Sequence, residues 1–257
     1  MGIRRWVRRA LLGVGLVLAV GVVGFLLWAG TPRPLEEDRF EAVLDDPAFE
    51  VGEVDGHLFL QAAGASPDLG VVFYPGARVP AGAYLATWAE VVTRTDVVVF
   101  IPAMRLNLAV LSPNRAADII AAHPDIATWA VGGHSLGGSM AAAFAGENPE
   151  VAGLVLWASY PEDGEVLAGR SDLQGVSVVG GRDGLATPSD VAERASFLPP
   201  GVPVEVIDGM NHAQFGAYGE QSGDRSPTLS PEQAASLLGE VTAAALARVA
   251  GTARQDR

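Results

Sequence analysis

Six short apolar runs, LGVVFYP (69–75), DVVVFIP (96–102), TWAVGG (128–133), VAGLVLWAS (151–159), GVSVVGG (175–181) and VPVEVID (202–208), constrain the fold more than any other feature. They do not alternate apolar with polar residues as a half-exposed strand does, and each is bounded by glycine, proline or aspartate. Such runs suit strands covered on both faces. Between them lie stretches of helical character at 83–94, 109–122, 138–146, 189–197 and 231–250. Alternating buried strand and helix predicts an α/β fold, a mostly parallel central sheet with helices on both faces. Ligands of such sheets bind where the strands end, at their carboxyl edge. Ahead of these runs, FEVGEV, Asp55-Gly56 and HLFLQA read as an opening hairpin.

The N-terminus has a different character. From 10 to 30 the chain reads ALLGVGLVLAVGVVGFLLWAG without a charge, long enough to cross the hydrocarbon core as a helix. Its end, Leu27-Trp28-Ala29, is a poor match to the small-x-small site of a removable signal, so a retained single-pass transmembrane anchor is expected. Arg4, Arg5, Arg8 and Arg9 precede the span, whereas Glu36, Glu37 and Asp38 follow it. The positive-inside rule therefore places the C-terminal domain outside the cytoplasm. The predicted organisation is an anchor over 1–30, a linker over 31–48 and one domain over 49–257.

Several chemistries are excluded by what the chain lacks. All 17 basic residues are arginines and there is no cysteine, which removes Schiff-base, Ser-Lys and thiolate catalysis, the lysine-bearing phosphate loop and cysteine-ligated metals. Four arginines precede the span, leaving 13 against 30 acidic residues, a formal −17. A domain so acidic repels nucleic acid and anionic lipid headgroups, and neither is expected as a partner beyond the tether itself.

The run TWAVGG leads directly into Gly133-His134-Ser135-Leu136-Gly137 and an alanine-rich helical stretch. This is G-x-S-x-G between strand and helix, where flanking glycines permit a tight turn that projects the serine hydroxyl above the sheet at a helix N-terminus. The serine needs a base, and the chain offers His57, His123, His134 and His212. His57 sits in the hairpin, His123 precedes Pro124, and the His134 side chain should point away from its neighbour's hydroxyl. His212 follows the last strand on the loop at its carboxyl end. For the acid that orients the imidazole, Asp183 in Gly181-Arg182-Asp183-Gly184 ends the strand before; Asp163, one strand earlier, is the rival.

The elbow, the G-R-D-G-x-x-x-P segment at 181–188 and the G-x-N-H loop at 209–212 resemble the α/β-hydrolase superfamily, in its small dienelactone-hydrolase-like branch. The resemblance covers nearly the whole domain and implies the α/β-hydrolase fold, with an oxyanion hole formed by the backbone amides of Leu136 and Ala77. Serine stands where dienelactone hydrolases carry cysteine. Tyr74, Met104, Trp157 and Tyr160 end strands on the active edge, where each is a candidate to wall the pocket and equally a candidate for the core. Arg78 is a candidate for a substrate carboxylate or phosphate, against the plainer reading of a solvated loop arginine. The expected activity is hydrolysis of a small-molecule carboxylic ester by Ser135, His212 and Asp183, with no metal or organic cofactor. Acyl transfer to an acceptor other than water, and a non-catalytic binding module on the same fold, are the alternative readings.

Overall fold

The computed structural model describes residues 2–255. Met1 and Arg257, the outer bounds of the expected anchor and domain, and the side chains of Arg4, Arg5, Arg8 and Arg9 lie outside the described residues. The chain opens with helix α1 (Gly2–Gly30), then α2 (Glu37–Leu44) and the hairpin β1 (Phe49–Val54) and β2 (His57–Ala62). There follow β3 (Leu69–Tyr74), α3 (Leu85–Val92), β4 (Val97–Pro102), α4 (Arg115–Ala122), β5 (Thr128–His134), α5 (Leu136–Glu147) and β6 (Val151–Trp157). The chain continues through α6 (Glu165–Ala168), β7 (Gln174–Gly180), α7 (Pro188–Glu193), β8 (Val204–Ile207) and α8 (Pro231–Gln255).

The eight strands form one sheet in the order β1-β2-β4-β3-β5-β6-β7-β8. β2 pairs antiparallel with β1 and with β4, and every other pair is parallel. The hairpin turns at Asp55 and Gly56 with φ of 50° and 76°, the doubly positive turn whose twist matches that of the flanking strands. From β3 the chain moves outward to β4, then returns to the other side of β3 for β5. The strand order thus reverses between β3 and β5, where an open α/β sheet has its ligand crevice.

Successive strand residues point to opposite faces, so each central strand feeds two cores. Val71 and Phe73 pack with Trp88, Trp157, Leu238 and Leu246 beneath α3 and α8. Val72 and Tyr74 pack with Val131, Ile119, Ala141 and Phe144 beneath α4 and α5. Trp157 stacks on Trp88 with ring centroids 5.1 Å apart, and its indole N–H donates to Thr242 Oγ1 at 3.1 Å, fixing α8 to β6. α8 is apolar enough to resemble a span, yet half of it is buried in this core; α1 over 11–30 is apolar and almost wholly exposed.

Two local expectations are corrected. The 31–48 segment is more than a linker, because α2 forms within it. Glu37 and Asp38 favour a helix N-terminus, Val43 is buried, and Phe40 packs against Gly82. The helix expected over 109–122 begins only at Arg115. Pro113 disfavours helical backbone at the residue before it, and Ser112 sits at φ −147°, ψ 50°, so 105–111 forms two separate 3₁₀ turns.

Candidate active site

Ser135 lies between β5 and α5 at φ 52°, ψ −126°, a strained conformation for a residue with a side chain. Its surroundings hold it there. Ser135 N–H donates to Trp157 O at 3.0 Å, and Ser159 Oγ donates to Ser135 O at 2.7 Å. Any side chain at Gly137 would collide with the carbonyls of Tyr74 and Pro75, so the glycine lets the start of α5 press against the end of β3. That close approach brings the turn after β3 beside the serine.

His212 follows β8 and the turn at Gly209 (φ 83°), and its Nδ1 lies 2.8 Å from Asp183 Oδ2, with both residues buried. Asp183 Oδ1 accepts from the amides of Leu185 at 2.8 Å and Ala186 at 2.7 Å. A carboxylate with both oxygens accepting receives the Nδ1 proton, which leaves Nε2 as the free basic nitrogen. Ser135 and His212 line one cleft of about 310 Å³ with Leu136, Tyr160, Leu185 and Gln221. Among the described residues their side chains share it without a mutual hydrogen bond; such contacts commonly tighten only when substrate binds.

The loops carrying acid and base are joined by a residue that sequence reasoning missed. Asp224 accepts from Gly184 N at 3.0 Å through one oxygen and from Ala213 N at 2.9 Å through the other. Asn211 and Gln214 close the histidine turn by reciprocal side-chain-to-backbone bonds, and Asn211 Nδ2 reaches Arg225 O at 2.7 Å. Ser139 was also missed. It stands one turn after Ser135 on α5 and donates to Tyr160 O at 2.9 Å, a position its i+4 spacing made legible. Nothing in the local sequence marks Asp224.

On the opposite wall, Gly76 N–H donates to Tyr84 Oη at 2.8 Å and Arg78 N–H to Asn107 O at 2.7 Å. The amide between them, that of Ala77, has no such partner among the described residues. Leu136 is the first residue of α5, where an amide has no intrahelical acceptor. Tyr84 Oη, which accepts from Gly76, also shares a hydrogen bond with His134 Nδ1, 3.0 Å away. Burial, reinforced by nearby His212, holds the His134 imidazole well below the usual histidine range. Burial likewise raises the Tyr84 phenol, which stays protonated.

Four residues that were candidates for the pocket take their alternative places. Tyr74 is fully buried on the α4 and α5 face; its hydroxyl donates to Pro113 O at 2.7 Å and accepts from Ala116 N at 2.8 Å. Met104 belongs to the same core, and Trp157 to the core on the other face. The alternation of side chains along β3 and β6 turns Tyr74 and Trp157 into the cores and away from the carboxyl edge, while Met104 lies two residues past the end of β4. Arg78 turns outward. Its Nε donates to Thr31 O at 2.9 Å and its guanidinium lies 5.0 Å from the ring centroid of Trp28 at the end of α1. Tyr160 does line the cleft, with the Arg194 guanidinium 4.4 Å from its ring centroid. Asp163 borders a different hollow beside α5 and α6.

A larger hollow of about 540 Å³ opens beside His123, Asp68 and Phe59. It lies at the amino ends of β3, β4 and β5, the edge opposite the elbow, so the smaller cleft is the candidate site. Among the described residues no group of His, Asp or Glu side chains converges to hold a metal ion.

The sequence pattern of the alpha/beta hydrolase family matches residues 70–236. The fold is similar to the crystal structure of the esterase domain of a Rhodothermus marinus protein, with TM-score 0.54 and 16% identity over 78% of this chain and 97% of that one. It is also similar to a predicted CIB-like hydrolase from Thermoplasma acidophilum, with TM-score 0.50 and 16% identity over 75% of this chain and 95% of that one. No protein of curated function matches the sequence.

Proposed function

The chain belongs to the alpha/beta hydrolase family, and from that premise we propose that it is a membrane-anchored serine hydrolase that cleaves carboxylic esters. The observation that carries the reading is the buried Asp183–His212 hydrogen bond of 2.8 Å, in the same cleft as a serine held at positive φ between strand and helix.

In the proposed reaction Ser135 Oγ bonds to the ester carbonyl carbon while its proton passes to His212 Nε2. The carbonyl oxygen gains the negative charge and is met by the amides of Leu136 and Ala77. As the tetrahedral intermediate collapses, the bond to the alkoxy oxygen breaks and the imidazolium returns its proton to the departing alcohol. A water molecule then gives a proton to His212 and its oxygen to the acyl carbon, and the acid leaves as Ser135 recovers its proton. Asp183 fixes the tautomer and stabilises the transient imidazolium.

Anchoring rests on α1, which is long and apolar enough to cross a bilayer and, up to Trp28, packs little against the domain. With the arginines that precede its apolar stretch on the cytoplasmic side, the domain lies outside the cytoplasm. The test is labelling of the full chain with a fluorophosphonate probe, followed by identification of the modified peptide and by hydrolysis of 4-nitrophenyl acetate. Label at Ser135, lost in Ser135→Ala, is the expected result. A folded chain that is neither labelled nor active is a binding module instead.

A further inference from the structure

The join between α1 and the domain lies at the same edge of the sheet as the chemistry. Side chains from Leu11 to Trp28 are exposed, and burial begins abruptly at Ala29. There Asn107 Nδ2 donates to Ala29 O at 3.1 Å, and Arg78, the chain neighbour of Ala77, contacts both Trp28 and Thr31. The chain leaving the helix then follows the rim of the site. Arg33 N–H donates to Arg78 O at 2.6 Å, and Glu36 N–H donates to Ala217 O at 3.0 Å, just past His212. Glu36 Oε1 accepts from Gly219 N at 3.1 Å. The point at which the chain leaves the membrane is therefore bonded to the oxyanion turn on one side and to the histidine loop on the other.

The neighbouring surface has the composition of a membrane interface. Leu106, Val110 and Leu111 are 37%, 49% and 41% exposed on the loop that holds Ala29, and Leu185 on the lip of the cleft is 38% exposed. Trp28 ends the span where interfacial tryptophans concentrate. Arg78 and Arg33 lie at the join, and Arg105 starts the loop that holds Ala29, on a domain whose charge is otherwise strongly negative.

We infer that the catalytic edge rests on the bilayer and that the substrate is an acyl ester dissolved in the leaflet beneath it, an ester-bearing lipid or comparable amphiphile. This rests on the hydrolase and anchor readings above. Ester groups of such molecules lie at the interface, so the carbonyl reaches Ser135 without the acyl chain crossing water. The loop over 105–111 and the end of α1 are immersed together, which fixes the tilt of the domain.

The test uses the full chain in phosphatidylcholine vesicles, with 4-nitrophenyl palmitate placed either in the same vesicles or in separate ones and 4-nitrophenyl acetate supplied from water. Palmitate in the enzyme's own vesicles should turn over at least about tenfold faster than palmitate in others, because co-localisation raises its effective concentration. Leu106→Asp, Val110→Asp and Leu111→Asp together should lower the same-vesicle rate about tenfold while acetate turnover stays within about twofold, since charge is expelled from the apolar layer. If the combined variant loses acetate turnover as well, Val110→Asp alone carries the same comparison. A chain that floats with the vesicles, is labelled at Ser135 and hydrolyses acetate, yet treats both palmitate preparations alike, overturns the inference. Absence of label or of flotation overturns the underlying reading, and this inference with it.

Discussion

The histidine wall of the cleft is fastened mainly by side chains of the domain itself, whereas the facing turn after β3 is fastened in part to the chain that leaves α1. On the first wall, Asp183 accepts three hydrogen bonds and Asp224 bridges the two loops. The exit segment meets this wall at Ala217 and Gly219, and at Tyr218, where the Arg33 guanidinium lies 5.8 Å from the ring centroid and the hydroxyl donates to His212 O at 3.3 Å. On the second wall, Gly76 hangs on Tyr84, while Arg78 is held between Asn107 and Arg33. The proposed acid–base geometry is thus the better insulated from the chain leaving α1, and the proposed oxyanion turn shares its supports with it.

The largest expected effect lies on the insulated wall. Asp183→Asn should lower kcat by about 10³ to 10⁴ with little change in KM, because the lost tautomer control and imidazolium stabilisation belong to the transition state. Ser135→Ala should do at least as much damage, and the double variant little more than the worse single one. Asp163→Asn, facing another hollow, should stay within roughly tenfold of the parent. Steady-state kinetics on folded variants decide the matter, and a crippled Asp163→Asn beside an active Asp183→Asn would transfer the acid's role.

Next comes the anchored wall. Tyr84→Phe removes the hydroxyl that accepts from Gly76 and shares a hydrogen bond with His134, stranding two buried polar groups at a cost of about 1–3 kcal/mol. With the turn loosened, kcat on a water-soluble ester should fall about 10- to 100-fold, less than the loss of a whole oxyanion donor. The pH dependence of kcat should not move, since Asp183 and His212 are untouched. An unchanged kcat would mean that the turn is held well enough by Arg78 alone.

A smaller effect is expected at Asp224. Asp224→Ala frees Gly184 and Ala213 from their common tie while leaving the Asp183–His212 bond in place. A slight misplacement of the base should cost about tenfold in kcat. Asp224→Asn, which keeps one acceptor oxygen, should recover part of that loss; if both variants match the parent, the bridge is structural only.

The two walls also differ in how far the sequence revealed them. The parallel sheet was legible because doubly covered strands cannot hide their apolar runs, and the elbow because a strained serine requires small neighbours at fixed spacing. The positions of Asp183 and His212 at strand ends could be read from glycine-rich segments that follow apolar runs. Asp224 could not, since it joins two loops by backbone amides and any acid in 219–230 would look the same. Tyr74 and Met104 could be read as pocket or as core, because the end of a strand gives a residue's position along the sheet without giving the face its side chain takes. The docking of 31–36 was hidden as well: proline and charge describe a linker equally well whether it hangs free or lies bonded along a rim.

The smallest expected effect concerns stability on the anchored side, where His134 is buried with its imidazole held well below the usual range by desolvation first and by His212 second. In the unfolded chain the same residue titrates near the ordinary value of ~6.5. Above that pH neither state carries the proton and the contribution of His134 to stability is complete. As pH falls below it, the unfolded chain takes up a proton that the folded chain refuses, so stability drops by up to ~1.4 kcal/mol per pH unit until folded His134 itself protonates. Denaturant unfolding between pH 7.5 and 5 should therefore show a decline that is shallower by about one proton in His134→Gln, the difference between the two curves cancelling the carboxylates common to both. Equal slopes would place the acid sensitivity elsewhere. A shallower slope, with activity in Tyr84→Phe already reduced at neutral pH, would mark the oxyanion wall as the first part of the site to loosen in acid.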